Sequence, residues 1–455
     1  MARFVTIDRE TAYLLPPSVN DWLPERHLAR FVIEIVDKLD LKILTSRYAG
    51  RGSDAYHPAT LLSLLIYGYA TGTFSSRKIE QATYDSIAFR YIAGNTHPDH
   101  NTLANFRKNY LKEITDIFVQ VLLVAKEMGF LKLGNVSLDG SKVKANASKH
   151  KALSYAHLIK IEAQLREEIA ALMKQAQASD TKPLEGMDIP AELARREERL
   201  KELALAKTRI EERAMERDKE AQSEYEAKLA KREALRKEGK KPKGKDPEPP
   251  TSGPRDKDQV NLTDEESRIM KSSGSGSGFV QAYNAQAAVD LETMMIVAAD
   301  VTQAGNDKRQ IEPMINQAKK LPEELGRVTG VLADTGYFSE HNVKHCESAG
   351  VEPFIAMRRD RHHMSLTERF AEDIPCPETE DPVQKMAWKL KTKAGRAVYA
   401  LRKSTVEPVF GVIKNVMRFR QFSMRGIEKT KGEWTLVALA WNLKRMSTLR
   451  AVGGS

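Results

Sequence analysis

Between residues 22 and 130, apolar positions recur at helical spacing, cut into short runs by tight breaks. Ala59 to Ala70 is apolar almost without interruption, which predicts a helix buried nearly all round. Ser75 and Ser76 offer a cap before the run from Lys78 to Ala93. After the break Gly94-Asn95-Thr96-His97-Pro98, Asp99 is placed to cap a further helix. That helix sets Leu103, Phe106, Tyr110, Ile114 and Ile117 on one face. Asn101, Asn105, Lys108 and Lys112 line the other, with Arg107 beside them. Between Leu131 and Val143 the period falls to two. Val136 and Leu138 alternate with Ser137, Asp139 and Ser141, predicting a half-buried strand with Asp139 near its end.

Residues 150–278 follow another pattern. Leu158, Ile161, Leu165, Ile169 and Leu172 take heptad-like spacing amid charged residues, and after a break at Asp180 to Pro190 so do Leu193, Leu200, Leu203 and Ile210. An antiparallel helical hairpin is the economical structure, with a dimeric coiled coil as its rival. Gly239 to Pro254 is a Pro/Lys/Gly stretch expected to be a mobile linker. Thr263 to Glu266 is placed to cap a short helix reaching Met270, and Ser272 to Gly278 is a Gly/Ser hinge.

Strand signals resume at Phe279, with further strands expected at Met294 to Val301, Val328 to Ala333 and Val351 to Ala356. Arg309 to Lys320 and Glu340 to Ala349 alternate with them as helices. With 150–278 cut out, the order is that of a mixed α/β sheet. In Ser404 to Lys414, Val406, Val409, Phe410 and Ile413 are core-seeking, whereas Glu407 and Lys414 share the opposite face two turns apart. Pro408 favours a helix start or a kink there. Glu433 to Met446 reads as an amphipathic closing helix in which Trp434 and Trp441 pack into the core.

Composition narrows the function. In 455 residues, 72 Lys and Arg outweigh 62 Asp and Glu, a mild lean towards a polyanionic partner. Cys346 and Cys376 stand alone, which excludes a disulfide scaffold and a zinc ribbon and fits a reducing compartment. The charged first ten residues do not form a signal peptide, and no run of 18 apolar residues occurs, so a cytoplasmic location is expected. With His97 and His100 no Cys or acid completes a set of four ligands, so they read as loop histidines; His362-His363 is assigned nothing.

Phosphoryl transfer with two divalent ions needs converging carboxylates, and acids at two strand ends and on one helix can meet however far apart in sequence. Asp139, Asp334 and Glu407 have those placements; Asp290, Asp300 and Asp307 are rival acids, with Asp300 taken to close a strand. Four stretches carry a resemblance. They are Asp139-Gly-Ser-Lys-Val-Lys-Ala-Asn-Ala-Ser, Tyr283-Asn-Ala-Gln-Ala-Ala-Val-Asp, Ala333-Asp-Thr-Gly-Tyr-Phe-Ser and Val406-Glu-Pro-Val-Phe-Gly-Val-Ile-Lys. Together they resemble the DDE transposases of bacterial insertion sequences, and the helical amino-terminal part resembles that family's amino-terminal domain.

The resemblance implies an α/β fold: an RNase H-like mixed sheet interrupted by a long helical insert and preceded by an all-α domain. It divides the chain into a helical DNA-binding-type domain at 1–130, a catalytic domain at 131–149 plus 279–448, and an insert at 150–278. It implies metal-dependent hydrolysis at the element ends and joining of the 3′-OH to target DNA. Asp139, Asp334 and Glu407 would then bind two Mg²⁺ or Mn²⁺ ions. Tyr399, Arg402, Glu407 and Lys414 resemble the Tyr-Arg-Glu-Lys signature of one branch. One extra residue before Glu407 leaves Arg402 and Lys403 as alternatives. Double-stranded DNA is the expected partner of Tyr399, Arg402 or Lys403, Lys414, Arg418, Arg420 and Arg425. Asn105 and Lys108 are expected to contact it from the helical part, and a homodimer or larger assembly is expected on DNA. The alternatives are a structure-selective nuclease, and a DNA-binding repressor or domesticated relative that does not cut. Loss of one acid would favour the last; all three are present.

Overall fold

The computed structural model describes residues 18–48, 55–179, 188–239, 241–242, 244–272, 278–358, 373 and 375–453. The lead-in up to Pro17, most of the break at 180–190, most of the hinge at 272–278, and His362-His363 lie outside the described residues. One compact unit is drawn from the chain up to Lys144 and from Tyr283 onward; the other runs from Ala145 to Ser272 and on to Ala282. Eight strands are described: β1 (Leu133–Lys144), β2 (Ala152–Ser154), β3 (Gln259–Asn261), β4 (Arg268–Lys271), β5 (Phe279–Asp290), β6 (Ile296–Thr302), β7 (Gly326–Ala333) and β8 (Glu352–Ile355).

The sheet of the first unit has the order β6-β5-β1-β7-β8. β5 and β6 pair antiparallel, while β1 with β7 and β7 with β8 run parallel. This is the strand order of an RNase H-like sheet. β5 is buried from Gln281 to Asp290, which its small residues Ala282, Ala285, Ala287 and Ala288 permit.

The amino-terminal helices belong to the same unit. Pro58–Thr71 opens with Pro58 in its first turn and is buried from Leu61 to Ala70, the all-round burial its composition requires. His100–Asn109 is capped by Asp99, whose carboxylate accepts from the Asn101 N–H at 2.7 Å. Arg107 departs from the expected wet face. It turns inward and donates to Tyr69 Oη at 3.1 Å and to the Phe74 carbonyl at 2.9 Å.

The helix Ile427–Gly453 is not amphipathic, because every residue from Glu433 to Leu443 is buried. Sheet and helical bundle cover opposite sides of it, so it keeps no wet face. Trp434 Nε1 donates to the Gln286 carbonyl and Trp441 Nε1 to that of Met294, each at 2.8 Å. Gly432 faces Leu111 so closely that a methyl group there would lie 2.7 Å from Leu111 Cβ. Glu433, fully buried, accepts from Tyr69 Oη at 2.9 Å and from the Met424 N–H at 3.1 Å, and its carboxylate also takes the Ser423 N–H. The buried acid is thus satisfied from both the bundle and the loop before its own helix.

In the second unit, Tyr155–Ser179 and Ile189–Lys237 pack antiparallel as a helical hairpin. Tyr155 Oη donates to Glu211 at 3.2 Å, Lys207 to Glu162 at 3.4 Å, and Arg196 to Glu168 at 2.8 Å. Leu153, Leu158, Leu203, Ala206, Ile210 and Val260 form its small core. The stretch expected to be a mobile linker is laid back along the far half of the long helix. Arg217 Nη1 reaches both oxygens of Asp258 at 2.9 and 2.8 Å, its Nη2 donates to the Gly253 carbonyl, and Arg232 donates to that of Gly244. Arginines on the helix supply donors to a segment whose prolines leave carbonyls open. No helix forms before Met270. That segment is β4, pairing antiparallel with the start of β5, because an available strand partner outweighs a local cap.

Candidate active site

β1 and β7 fix two of the three expected acids. Their parallel register sets Ser137 opposite Leu332, and two residues beyond that pair stand Asp139 and Asp334. Asp139 lies inside β1 and not near its end. The strand continues because its far end finds new partners: the Lys144 N–H donates to the Arg420 carbonyl at 3.2 Å, and the Lys144 carbonyl accepts from the Phe422 N–H at 2.8 Å. Asp334 ends β7, where its Oδ1 accepts from the Gly336 N–H at 2.8 Å.

Gly140 makes this packing possible. A methyl group there would sit 2.2 Å from Gln286 Nε2 and 2.6 Å from Asp307 Oδ1, so Asp-Gly here marks close approach of neighbouring chain and not a turn.

The third acid, Glu407, stands on the helix Lys393–Asn415, which runs through Pro408 without a break. Val406, Val409, Phe410 and Ile413 are its buried face. Arg402 Nη2 donates to Glu407 Oε1 at 2.8 Å, and its Nη1 lies 3.9 Å from Asp139 Oδ2. Lys403 is exposed, so among the two alternatives it is Arg402 that links helix to strand. Lys414 Nζ donates to Ser141 Oγ and to the Lys142 carbonyl. Tyr399 is half-buried on the same helix.

A fourth acid enters the site. Asp307, in the loop after β6, accepts at Oδ1 from Asn284 Nδ2 at 2.6 Å and Gln286 Nε2 at 2.8 Å, with Lys142 Nζ 3.8 Å away. Gln286 in turn accepts from the buried Tyr337 hydroxyl. In sequence Asp307 was only one rival acid among several, signalled by the break Gly305-Asn306-Asp307 after a strand. Asp300 is not at a strand end: it lies within β6 and pairs with Lys431 at 3.1 Å.

Burial, joined by the charges of Asp334 and Asp307 and opposed by Arg402 and the Gly140 N–H, pushes the Asp139 carboxyl up to about 6. Burial lowers both Lys142 and Lys414. Among the described residues, the group of three acids or histidines whose ligand atoms all lie within 4.8 Å of one another is Glu80, Asp99 and His100. Asp139, Asp334 and Glu407 are therefore not drawn in that tightly, and the Arg402 guanidinium stands between two of them.

Two family models match the chain: a transposase domain (DUF772) over residues 17–109 and a transposase DDE domain over residues 251–443. The chain belongs to the DDE transposases. No curated protein and no solved structure matches it. DDE transposases act on DNA and generally use divalent metal ions. The carboxylates of this transposase fit such an ion, being hard oxygen donors without thiol or imidazole among them. Their charge is offset only in part by Arg402 and Lys142.

The remaining candidates lie around this centre or in the helical part. Arg418 is exposed with a left-handed φ of 61°, and Arg425 is exposed. Arg420 donates to the Lys414 carbonyl and to Asn415 Oδ1. Phe419 and Phe422, between them in sequence, are core residues. Asn105 and Lys108 are exposed on His100–Asn109. His97 meets Thr83 Oγ1 at 2.9 Å and stacks on Tyr84, and His100 meets Glu80 at 2.7 Å. His97 thus fastens its loop to the helix Ser76–Asp85, and His100, which opens a helix and is not a loop residue, fastens its own helix there. No helix among the described residues is long and apolar enough to cross a membrane.

Proposed function

We propose that this transposase binds the ends of its element, cleaves them by metal-dependent phosphodiester hydrolysis and joins the 3′-OH ends to target DNA. The observation that carries this reading is the level placement of Asp139 and Asp334 on adjacent parallel strands, with Glu407 tied to Asp139 through Arg402. Asp139, Asp334 and Glu407 would hold two Mg²⁺ or Mn²⁺ ions. The bound ions supply a polarised phosphate and an activated nucleophile.

The side chains around them divide the remaining work. Arg402, charged and nearly buried, offers a bidentate fork to a phosphate once the carboxylates have another counter-charge. Lys414, held by Ser141 beside β1, is a point charge for the DNA backbone. Arg418, Arg420 and Arg425 beyond it, with exposed Lys403 and half-buried Tyr399, extend that contact. Asn105 and Lys108 serve the element ends, and DNA brings two or more copies together. Such contacts position DNA and make binding salt-dependent.

The test is cleavage of a native element end in Mg²⁺ or Mn²⁺, comparing wild type with Asp139→Asn, Asp334→Asn, Glu407→Gln and Asp300→Asn. The reading expects the first three to bind ends without cutting and Asp300→Asn to cut. An inert wild type that still binds ends would favour a repressor.

A further inference from the structure

Asp307 is built in more firmly than a counter-ion for Lys142 requires. Its Oδ1 takes two amide donors, Asn284 Nδ2 and Gln286 Nε2, from fully buried residues of the central strand β5. Its Oδ2 has no hydrogen bond among the described residues and faces Gly336. A methyl group on Gly336 would lie 3.7 Å from that oxygen and 2.9 Å from Asp334 Oδ1, so the free oxygen opens on the same side as Asp334.

A second observation points the same way. Asn284 Oδ1 is buried and has no partner, and it lies 3.0 Å from where a methyl group on Gly140 would sit, beside Asp139. Leaving a buried carbonyl oxygen unpaired is costly unless something polar reaches it. Two amides on one carboxylate oxygen stop the group from rotating, which leaves the other oxygen aimed and ready for a cation.

We propose that Asp307 is a further ligand of the divalent cation held by Asp139 and Asp334, with Asn284 and Gln286 as its positioning residues. This rests on the metal-dependent reading above and adds a carboxylate to it. The cation is recognised by a third aspartate from the β6 loop, besides those of the two parallel strands.

The experiment is Mn²⁺ binding to the full chain without DNA, read as free Mn²⁺ by electron paramagnetic resonance. Asp307→Asn keeps an acceptor for the two amides and removes the charge and the free oxygen. It should weaken Mn²⁺ binding at least about tenfold, while the metal-free melting temperature stays near that of wild type. Asp307→Glu keeps the charge beside Lys142 but displaces the oxygens; a counter-ion tolerates that change, whereas a ligand loses affinity. Wild-type binding in both Asp307 variants, with binding abolished in Asp139→Asn, overturns the role of Asp307 alone. Wild-type binding in Asp139→Asn as well overturns the metal-dependent reading together with it.

Discussion

Two long helices in this chain are stabilised by opposite means. Ile427–Gly453 is wrapped by neighbours, carries two tryptophans whose indoles bond to strand carbonyls, and even buries a glutamate. Ile189–Lys237 is longer and mostly wet; a few apolar residues near its first half and arginine-mediated contacts along both halves hold it. Helix length therefore says little about what a helix rests on. The first is set by tertiary burial, which is worth far more per residue than propensity; the second combines propensity with surface pairs of small individual value.

This contrast fixes the order of mutational effects. Trp434→Ala should cost about 3–5 kcal/mol, because it empties a fully buried volume and orphans the Gln286 carbonyl. Denaturant unfolding followed on the first unit should show the loss, and a loss under about 1 kcal/mol would mean the helix is far less embedded than described. Leu203→Ala removes a fully buried residue from the small core of the second unit and should cost about 2–3 kcal/mol. Hydrogen exchange should rise in Tyr155–Ser179 and Ile189–Lys237 while the sheet keeps its protection. Faster exchange across β1 and β7 as well would show that the units unfold together.

The smallest effect belongs to Arg217→Ala. It frees the 244–258 segment, tied through Asp258 and Gly253, from the helix, and limited proteolysis there should speed up by about fivefold. Unchanged cleavage would leave the segment held by its other contacts. The three substitutions together ask how far burial, a minor core and an ion pair differ within one chain.

Much of the sheet was legible in the amino-acid pattern, because its strands are short apolar runs separated by polar breaks. Asp334 directly follows such a run, and Glu407 interrupts an otherwise apolar helical segment, so both stood out. Asp139 was legible as a residue but not in its place: nothing local shows that β1 is prolonged by pairing with residues around Gln421. Asp307 was hidden among similar acids, since what distinguishes it is two amides over twenty positions away in sequence. Glu433 misled the pattern, because a charged residue argues for a wet face unless its distant donors, Tyr69 and Ser423, are already known. The Pro-rich stretch after Gly239 failed for the same reason, its partners being arginines on a helix that ends before it begins.

The placement of Ile427–Gly453 also has a consequence for synthesis. The ribosome makes the helices Pro58–Thr71 and Glu113–Glu127 early, yet the helix that fills the space between them and the β5-β6 hairpin emerges only after the sheet and the insert. Apolar surface on the early helices must therefore wait, uncovered, for most of translation. A nascent chain of this transposase is a client for chaperones until its closing helix leaves the tunnel, and the insert, with its own small core, is the part able to fold in the meantime.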